Sequence, residues 1–268
     1  MRAICAALIG FAAMSGALAQ GAPPPDALKE LAPTGKLRAA INFGNSVLAQ
    51  KASDGAPQGI TPDLSKELAK RLGVPVEFVT YEAAGKVFEG GKSGAWDVGF
   101  IAIEPARAAE LNFTAPYVVI EGTYMVRQDS PLKEVADVDK PGIKIAVGVG
   151  SAYDLYLTRS LKNATLQRAK VGGGRAMIEM FLDEKLDAAA GVRQPLEEYA
   201  KTHPDMRVMA GHFQEIQQAM AMPKKSGDAG QAGMAYLKTF VEEMKASGFV
   251  AEALKRSGQV AQVAPAAK

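Results

Sequence analysis

Cysteine, histidine and tryptophan are scarce in this chain of 268 residues, which has one Cys, two His and one Trp. So few Cys and His leave little material for a metal site or for a Ser-His or Cys-His catalytic site. An excess of one charge is also lacking, because 31 Lys and Arg stand against 29 Asp and Glu without a block of like charges. A nucleic-acid-binding protein is therefore not expected, since it needs a basic stripe that neutralises several phosphates.

The composition is that of a folded globular protein, with 48% hydrophobic residues. This excludes a disordered chain, which would contain far fewer apolar residues. The length indicates one large domain or two of modest size, which is enough to bury a substantial core.

The first 19 residues have the pattern of a secretory signal peptide. Arg2 precedes an apolar run from Ala3 to Met14, and Ala17-Leu18-Ala19 comes directly before Gln20. The run is shorter than the roughly 20 apolar residues that span a bilayer, and the A-x-A pattern predicts cleavage after Ala19. Because cleavage removes Cys5, the only cysteine, we expect a protein without disulfides in the periplasm or outside the cell.

Helical and strand patterns alternate along the rest of the chain, which is typical of an α/β fold. A Pro-rich leader at residues 20–34 comes first. Leu64, Leu68 and Leu72 then recur at helical spacing, with Thr61 as the predicted N-cap and Gly73 as the predicted end of that helix.

The same alternation begins again after residue 130, which predicts a second lobe. We expect lobe 1 at residues 35–125 and 217–258, and lobe 2 at residues 126–216. Extended stretches at residues 118–126 and 209–222 would connect the lobes as two hinge strands. The Ala- and Pro-containing tail at residues 259–268 is expected to be frayed.

Two short motifs resemble catalytic ones but lack their partners. Gly90-Gly91-Lys92-Ser93 looks like the end of a phosphate-binding loop, but Lys86 stands where that loop begins with Gly. Ser130-Pro131-Leu132-Lys133 matches S-x-x-K without the K-T-G and S-D-N motifs that accompany it in penicillin-binding enzymes. We interpret both as chance matches.

Several strings in order resemble the extracytoplasmic solute-binding proteins of family 3, which serve polar amino acid ABC importers. They are GKLRAAINFG at residues 35–44, GITPDLSKELAKRLGVPVEFV at 59–79, GAWDVGFIAIEPARAAELNFTAPY at 94–117, VRQDSPL at 126–132, KIAVGVGSAYDL at 144–155 and EKLDAAAG at 184–191. The resemblance implies a two-lobe α/β fold of the type II periplasmic-binding-protein class, with two hinge strands and a ligand cleft between the lobes. Closure on the ligand would be a two-state change that the ligand biases by touching both lobes.

The same resemblance implies the partners: a small-molecule ligand, an amino acid or another carboxylate, and an ABC permease in the inner membrane. We expect a periplasmic monomer without cofactor or metal.

The resemblance also assigns ligand-binding roles. Arg107 matches an Arg whose parallel donors bind the ligand carboxylate; the alternative is an exposed helix Arg paired with Glu104 or Glu110. Ser151, after Gly150, matches a hydroxyl at the first helix of lobe 2, where a helix N-terminus favours anions. Alternatively, Ser151 and Asp154 form a capping box that needs no ligand.

Further residues of the expected site are less polar than the family pattern. Asn42 and Phe43 end the first strand at the mouth of the cleft, where the family often has an aromatic residue, although core packing explains Phe43 equally well. Phe100 and Ala102 lie in the strand DVGFIAI, where amino-acid binders usually carry hydroxyl groups or backbone acceptors, and Ile103, at the end of that strand, is also expected at the site.

Val192 stands where the family normally has the Asp that pairs with the ligand ammonium. A buried ammonium without a partner would cost several kcal/mol. The ligand therefore either lacks an ammonium group or meets another acid, for which Glu104 is a candidate. Arg193, next to Val192, could meet a second carboxylate. We favour a small molecule that carries a carboxylate and is not necessarily an amino acid.

The main alternative function is an enzyme on the same fold, because residues 137–164 also resemble exported cyclohexadienyl (arogenate) dehydratases. The Asp and Glu of those enzymes correspond here to Val192 and Pro195, neither of which can transfer a proton. The sequence thus favours a binding protein. A sensor module of a membrane protein is a third possibility, but no anchoring segment follows residue 250.

Overall fold

The structure is a computed structural model that describes residues 22–170, 173–225, 227 and 229–267. The predicted signal peptide and its cleavage site lie outside the described residues. The helices are α1 Pro25–Leu31, α2 Ile60–Leu72, α3 Ala84–Lys92, α4 Pro105–Ala108, α5 Ala152–Ser160, α6 Gly174–Asp183, α7 Arg193–Thr202, α8 Gln231–Ala246 and α9 Phe249–Arg256.

The strands are β1 Leu37–Asn42, β2 Gln50–Lys51, β3 Pro57–Gln58, β4 Val76–Tyr81, β5 Val98–Ala102, β6 Leu111–Arg127, β7 Lys144–Gly148, β8 Thr165–Ala169, β9 Ala188–Val192, β10 Met206–Val208, β11 Gln214–Pro223 and β12 Gln262–Val263. The predicted alternation of helices and strands is confirmed.

One sheet runs through both lobes, in the order β4-β1-β5-β11-β6-β9-β7-β8. β1 pairs in parallel with β4 and β5 in lobe 1, and β7 pairs in parallel with β8 and β9 in lobe 2. The long strands β6 and β11 lie between these two groups and pair with each other antiparallel. They are the two predicted connections. β11 begins at Gln214, later than the extended stretch expected from residue 209.

Helix α2 shows how the local sequence forms the core of lobe 1. Leu64, Leu68 and Leu72 are buried on one face, and Gly73 ends the helix with φ at 70°. The predicted N-cap is wrong: Gly59 is the N-cap, two residues before Thr61, and the helix begins at Ile60. The Thr61 hydroxyl donates to the Leu48 carbonyl oxygen at 3.3 Å.

The Gly-rich motif at residues 90–93 is part of this packing and lies in α3. The indole N–H of Trp96 donates to the Val87 carbonyl oxygen at 2.9 Å, and the ring packs against Gly90 and Gly91. A Cβ on Gly91 would lie 2.5 Å from Trp96 Cζ2. These glycines therefore make room for the Trp, which agrees with a chance match to a phosphate loop.

Both terminal segments are more ordered than the composition indicates. The leader contains α1, which packs against α8. The expectation of a frayed tail is wrong for the described part, because Gln262 and Val263 form β12, which pairs with Val119 and Val118 of β6. No helix within the described ranges is long and apolar enough to cross a membrane.

Candidate functional site

A cavity of about 1630 Å³ lies between the two lobes. Lobe 1 contributes the ends of β1, β4 and β5, and lobe 2 contributes the ends of β7 and β9 with the first turns of α5, α6 and α7. The carboxyl ends of parallel strands from both lobes thus meet in one cleft, the usual place for a ligand in open α/β sheets.

Arg107 lies in this cleft, on the short helix α4, and is 1% exposed. Its Nη1 donates to the Ala102 carbonyl oxygen at 2.9 Å, and its Nη2 donates to the Gly150 carbonyl oxygen at 2.8 Å. Gly150 belongs to lobe 2, so the Arg contacts both lobes. Its buried Nε has no hydrogen-bond partner among the described residues.

The guanidinium of Arg107 carries a poorly compensated charge. Burial lowers the pKa of Arg107 from 12.5 to about 10, with Glu104 acting in the opposite direction, so the side chain stays protonated at neutral pH. No carboxylate of the described chain forms a salt bridge with it. A buried cation held only by carbonyl oxygens favours an anion as its next neighbour.

Ser151 lies at the N-terminus of α5 and lines the same cavity. Its hydroxyl oxygen accepts from the Asp154 N–H at 3.0 Å, which is one half of the predicted capping box; the return bond from the Ser151 N–H to Asp154 is not formed. The N–H of Gly150 donates to the Asp154 carboxylate at 2.8 Å, and the N–H of Ser151 donates to the Gly148 carbonyl oxygen at 3.1 Å. These two N–H groups are therefore engaged within lobe 2.

Asn42, Phe43, Ala102 and Val192 also line the cavity. The Asn42 side chain accepts from the Gly44 N–H at 3.0 Å, and the Phe43 ring lies 4.9 Å from the Lys51 ammonium. Val192 occupies the N-cap position of α7, where no side chain caps the helix.

Buried carboxylates are missing from the described lining of the cavity. The acids that line it are Glu82, Glu89, Glu179 and Glu198, and all four are exposed. The interior therefore offers a cation for a carboxylate but no buried anion for an ammonium. Nor does the described part of the chain contain a group of three or more His, Cys, Asp or Glu that could hold a metal ion.

Close contacts between glycines bring the lobes together on either side of this cavity. A Cβ on Gly173 of lobe 2 would lie 2.5 Å from the Cα of Gly44 in lobe 1. A Cβ on Gly85 of lobe 1 would lie 3.2 Å from the Val149 carbonyl oxygen in lobe 2. The two lobes thus touch backbone to backbone, and the structure is that of a closed cleft.

The family model of the bacterial extracellular solute-binding proteins, family 3, matches residues 45–259. The chain belongs to this family. A comparison with curated proteins finds no significant match. The predicted family and the predicted two-lobe fold are confirmed.

Solved structures of this fold cover most of this solute-binding protein. A cysteine-binding protein from Campylobacter jejuni is 20% identical, with a TM-score of 0.73 and coverage of 89% of this chain and 100% of the other. The solute receptor for L-cysteine of Neisseria gonorrhoeae is 24% identical, with a TM-score of 0.72 and coverage of 86% and 92%. A mutant of ArgBP from T. maritima is 20% identical, with a TM-score of 0.72 and coverage of 87% and 99%.

Two of the residues predicted for the site do not line the main cavity of this solute-binding protein. Ile103 lines a second, smaller cavity of about 420 Å³. Arg193 binds Glu121 of β6 and donates to the carbonyl oxygens of Met209 and Gly211. As the first residue of α7, Arg193 points away from the cleft and ties the helix to the chain that leads into β11.

Glu104 also lies outside the main cavity. Its carboxylate is 1% exposed and accepts from Arg159 Nη1 at 2.6 Å and from Gln214 Nε2 at 2.7 Å. Arg159 is on α5 in lobe 2, so this ion pair connects the lobes behind the ligand cleft. Sequence reasoning missed Arg159, because nothing in the spacing of the chain relates it to Glu104. We call the contact of Glu104, Arg159 and Gln214 the interlobe clasp.

Proposed function

We propose that this protein is the periplasmic substrate-binding component of an ABC importer and that its ligand is a small carboxylate without an ammonium group. The observation that carries the proposal is Arg107, a buried cation in the cleft without a carboxylate partner in the described chain. A ligand carboxylate would supply the missing anion, with Nε as a further donor. The cysteine-binding protein and the solute receptor for L-cysteine support a solute-binding role for a chain with this fold.

The described lining of the cavity disfavours a ligand ammonium group. A ligand ammonium close to Arg107 would meet Val192 and Ala102 and no buried carboxylate of the described lining. Leaving an ammonium buried without a partner costs several kcal/mol, whereas a keto or hydroxyl group at the same place costs much less. A 2-oxo or 2-hydroxy acid fits this lining better than the corresponding amino acid.

We also propose that the protein binds its ligand without transforming it and acts as a monomer that presents the closed form to a permease. At the positions where the dehydratases have acids, Val192 and Pro195 line the cavity, and neither side chain can donate or accept a proton.

The first prediction concerns Arg107. Arg107→Ala should weaken the binding of a 2-oxo acid more than tenfold, because hydrogen bonds to charged groups contribute about 1.5–3 kcal/mol each. Isothermal titration calorimetry with 2-oxo acids and with the matching amino acids measures both the affinity and the preference between the two classes.

Arg175→Ala is the matched control. Arg175 also lines the cavity, but its side chain is 92% exposed and pairs with Glu179, so its removal should leave affinity unchanged. An Arg107→Ala protein that binds like the unaltered protein, or tight binding of amino acids with none of their 2-oxo counterparts, contradicts the proposal.

A further inference from the structure

The lobe 2 wall of the cavity continues into an apolar recess between α6 and α7. We define this recess by Met177, Ile178, Leu182, Leu196 and Tyr199, all of which line the cavity. We infer that the ligand has an apolar body that occupies the recess while its carboxylate binds Arg107; this inference rests on the proposed function. The ligand class is then a carboxylic acid with a branched aliphatic or aromatic body.

The recess is an organised part of the lobe 2 core. Met177 and Leu196 are each 1% exposed, and together with Ile178 they belong to one buried cluster against which Leu182 and Tyr199 pack. The ends of Met177 and Leu196 lie over Gly191, where a Cβ would be 3.2 Å from Met177 Cε and 3.3 Å from Leu196 Cδ1. The apolar surface thus begins at the end of β9, beside Val192.

The cavity is also larger than an ordinary small-molecule site. Its volume of about 1630 Å³ exceeds the roughly 300–1,000 Å³ that is usual for such sites. An acid as small as pyruvate would leave the recess filled with water against apolar side chains. A larger apolar body would displace that water and gain the free energy of burial.

The charges around the recess lie at its rim. Glu179 and Glu198 are exposed, and Arg175 is 92% exposed and paired with Glu179. A second charged group on the ligand would therefore meet apolar side chains inside the recess. This arrangement favours a ligand that is charged at one end and apolar at the other.

The test is calorimetry of the purified protein with pyruvate, 4-methyl-2-oxopentanoate and phenylpyruvate, beside alanine, leucine and phenylalanine. Each buried methylene group should improve affinity about fourfold. Both larger 2-oxo acids should therefore bind at least about tenfold more tightly than pyruvate. Equal affinity for all three overturns the inference and leaves the proposed carboxylate function standing, whereas binding of the amino acids alone overturns the proposed function itself.

Variants locate the apolar body within the cavity. Leu196→Gln should weaken the binding of 4-methyl-2-oxopentanoate at least about tenfold and that of pyruvate by less than about twofold. Leu182→Gln, at a half-buried position of the same recess, should act in the same direction and is the variant to use if Leu196→Gln does not fold. Lys201→Gln, at an exposed position of α7 outside the cavity lining, is the control and should change neither affinity. Equal weakening of both acids in the two recess variants contradicts the inference.

Discussion

Arg107 and Val192 are the two residues on which the proposed ligand class rests. The guanidinium is buried and held by carbonyl oxygens of both lobes, so its charge is available to a ligand. Val192 stands where the resemblance to the family leads us to expect an acid, and no buried carboxylate lines the described cavity. It is also the N-cap residue of α7 and leaves that helix without a side-chain cap. We therefore expect an acid at residue 192 to change both ligand recognition and the start of the helix.

Restoring the acid should reverse both effects. Val192→Asp should stabilise the protein by about 0.5–2 kcal/mol through capping of α7 and should create measurable affinity for α-amino acids. Urea unfolding and calorimetry with leucine measure the two effects. Val192→Asn is the matched control, because it caps the helix without a charge and should raise stability alone. If Val192→Asp gains no affinity for any amino acid, Val192 is not the residue that excludes an ammonium.

The sequence predicts the position of Arg107 in the cleft but not the hydrogen bonds that its side chain makes. The family motif places this Arg after β5, and its contact with Gly150 follows from the closed arrangement of two segments that are far apart in the chain. Arg193 was expected near the ligand because it follows Val192. Its side chain points away from the cleft because β9 ends at Val192 and Arg193 is the first residue of α7, where the backbone changes direction.

Helices and strands with a strong local pattern were predicted well. The leucine spacing and Gly73 determine α2, and the capping pair of Ser151 and Asp154 determines the start of α5. The short strand β12 could not be predicted, because Gln262 and Val263 have no strand pattern of their own and are extended only through pairing with β6.

One buried ammonium contacts the C-terminal segment. The Lys245 side chain is 5% exposed, pairs with Glu242 at 2.7 Å, and donates to the carbonyl oxygens of Pro116 and Pro265. It thereby joins α8, the start of the hinge strand and the tail.

Lys245→Met keeps most of the aliphatic stem and removes the donors, so it should lower the free energy of unfolding by about 1–3 kcal/mol. Chemical denaturation measures this loss. Lys238→Met, at an exposed position on the same helix, is the control and should change stability by less than about 0.5 kcal/mol. Equal stability of the two variants would show that the tail is held by strand pairing alone.

Across the whole molecule, the interlobe clasp connects the start of the hinge strand β11 with one helix of each lobe, α4 and α5. Glu104 is buried and is the N-cap residue of α4, the helix that carries Arg107. Arg159 lies on α5, a helix of lobe 2. Without Arg159, the Glu104 carboxylate would be buried without its ion-pair partner, and this cost would arise only in the closed form. The clasp should therefore stabilise closure by about 0.2–1 kcal/mol, because Arg159 is half exposed and partly screened by water.

A double-mutant cycle with Glu104→Gln and Arg159→Gln tests the clasp. Each single change should raise the ratio of open to closed protein by up to about fivefold, and the double change should add little to either. Fluorescence energy transfer between dyes on Lys70→Cys in lobe 1 and Glu184→Cys in lobe 2, both exposed, reports the distance between lobes. Lys140→Gln, which removes an ion pair within lobe 2, is the control. Fully additive effects would mean that the two side chains act on closure separately.

The glycine contacts between the lobes serve the closure of the cleft and not the folding of either lobe. Gly173 meets Gly44, and Gly85 meets Val149, only while the lobes are together. A methyl group at residue 173 is therefore incompatible with the contact between the lobes, and one at residue 85 would require a small shift of the Val149 backbone; the atoms that each would meet belong to the opposite lobe. Substitution of Gly173 would therefore oppose closure of the lobes while leaving the packing within each lobe unchanged.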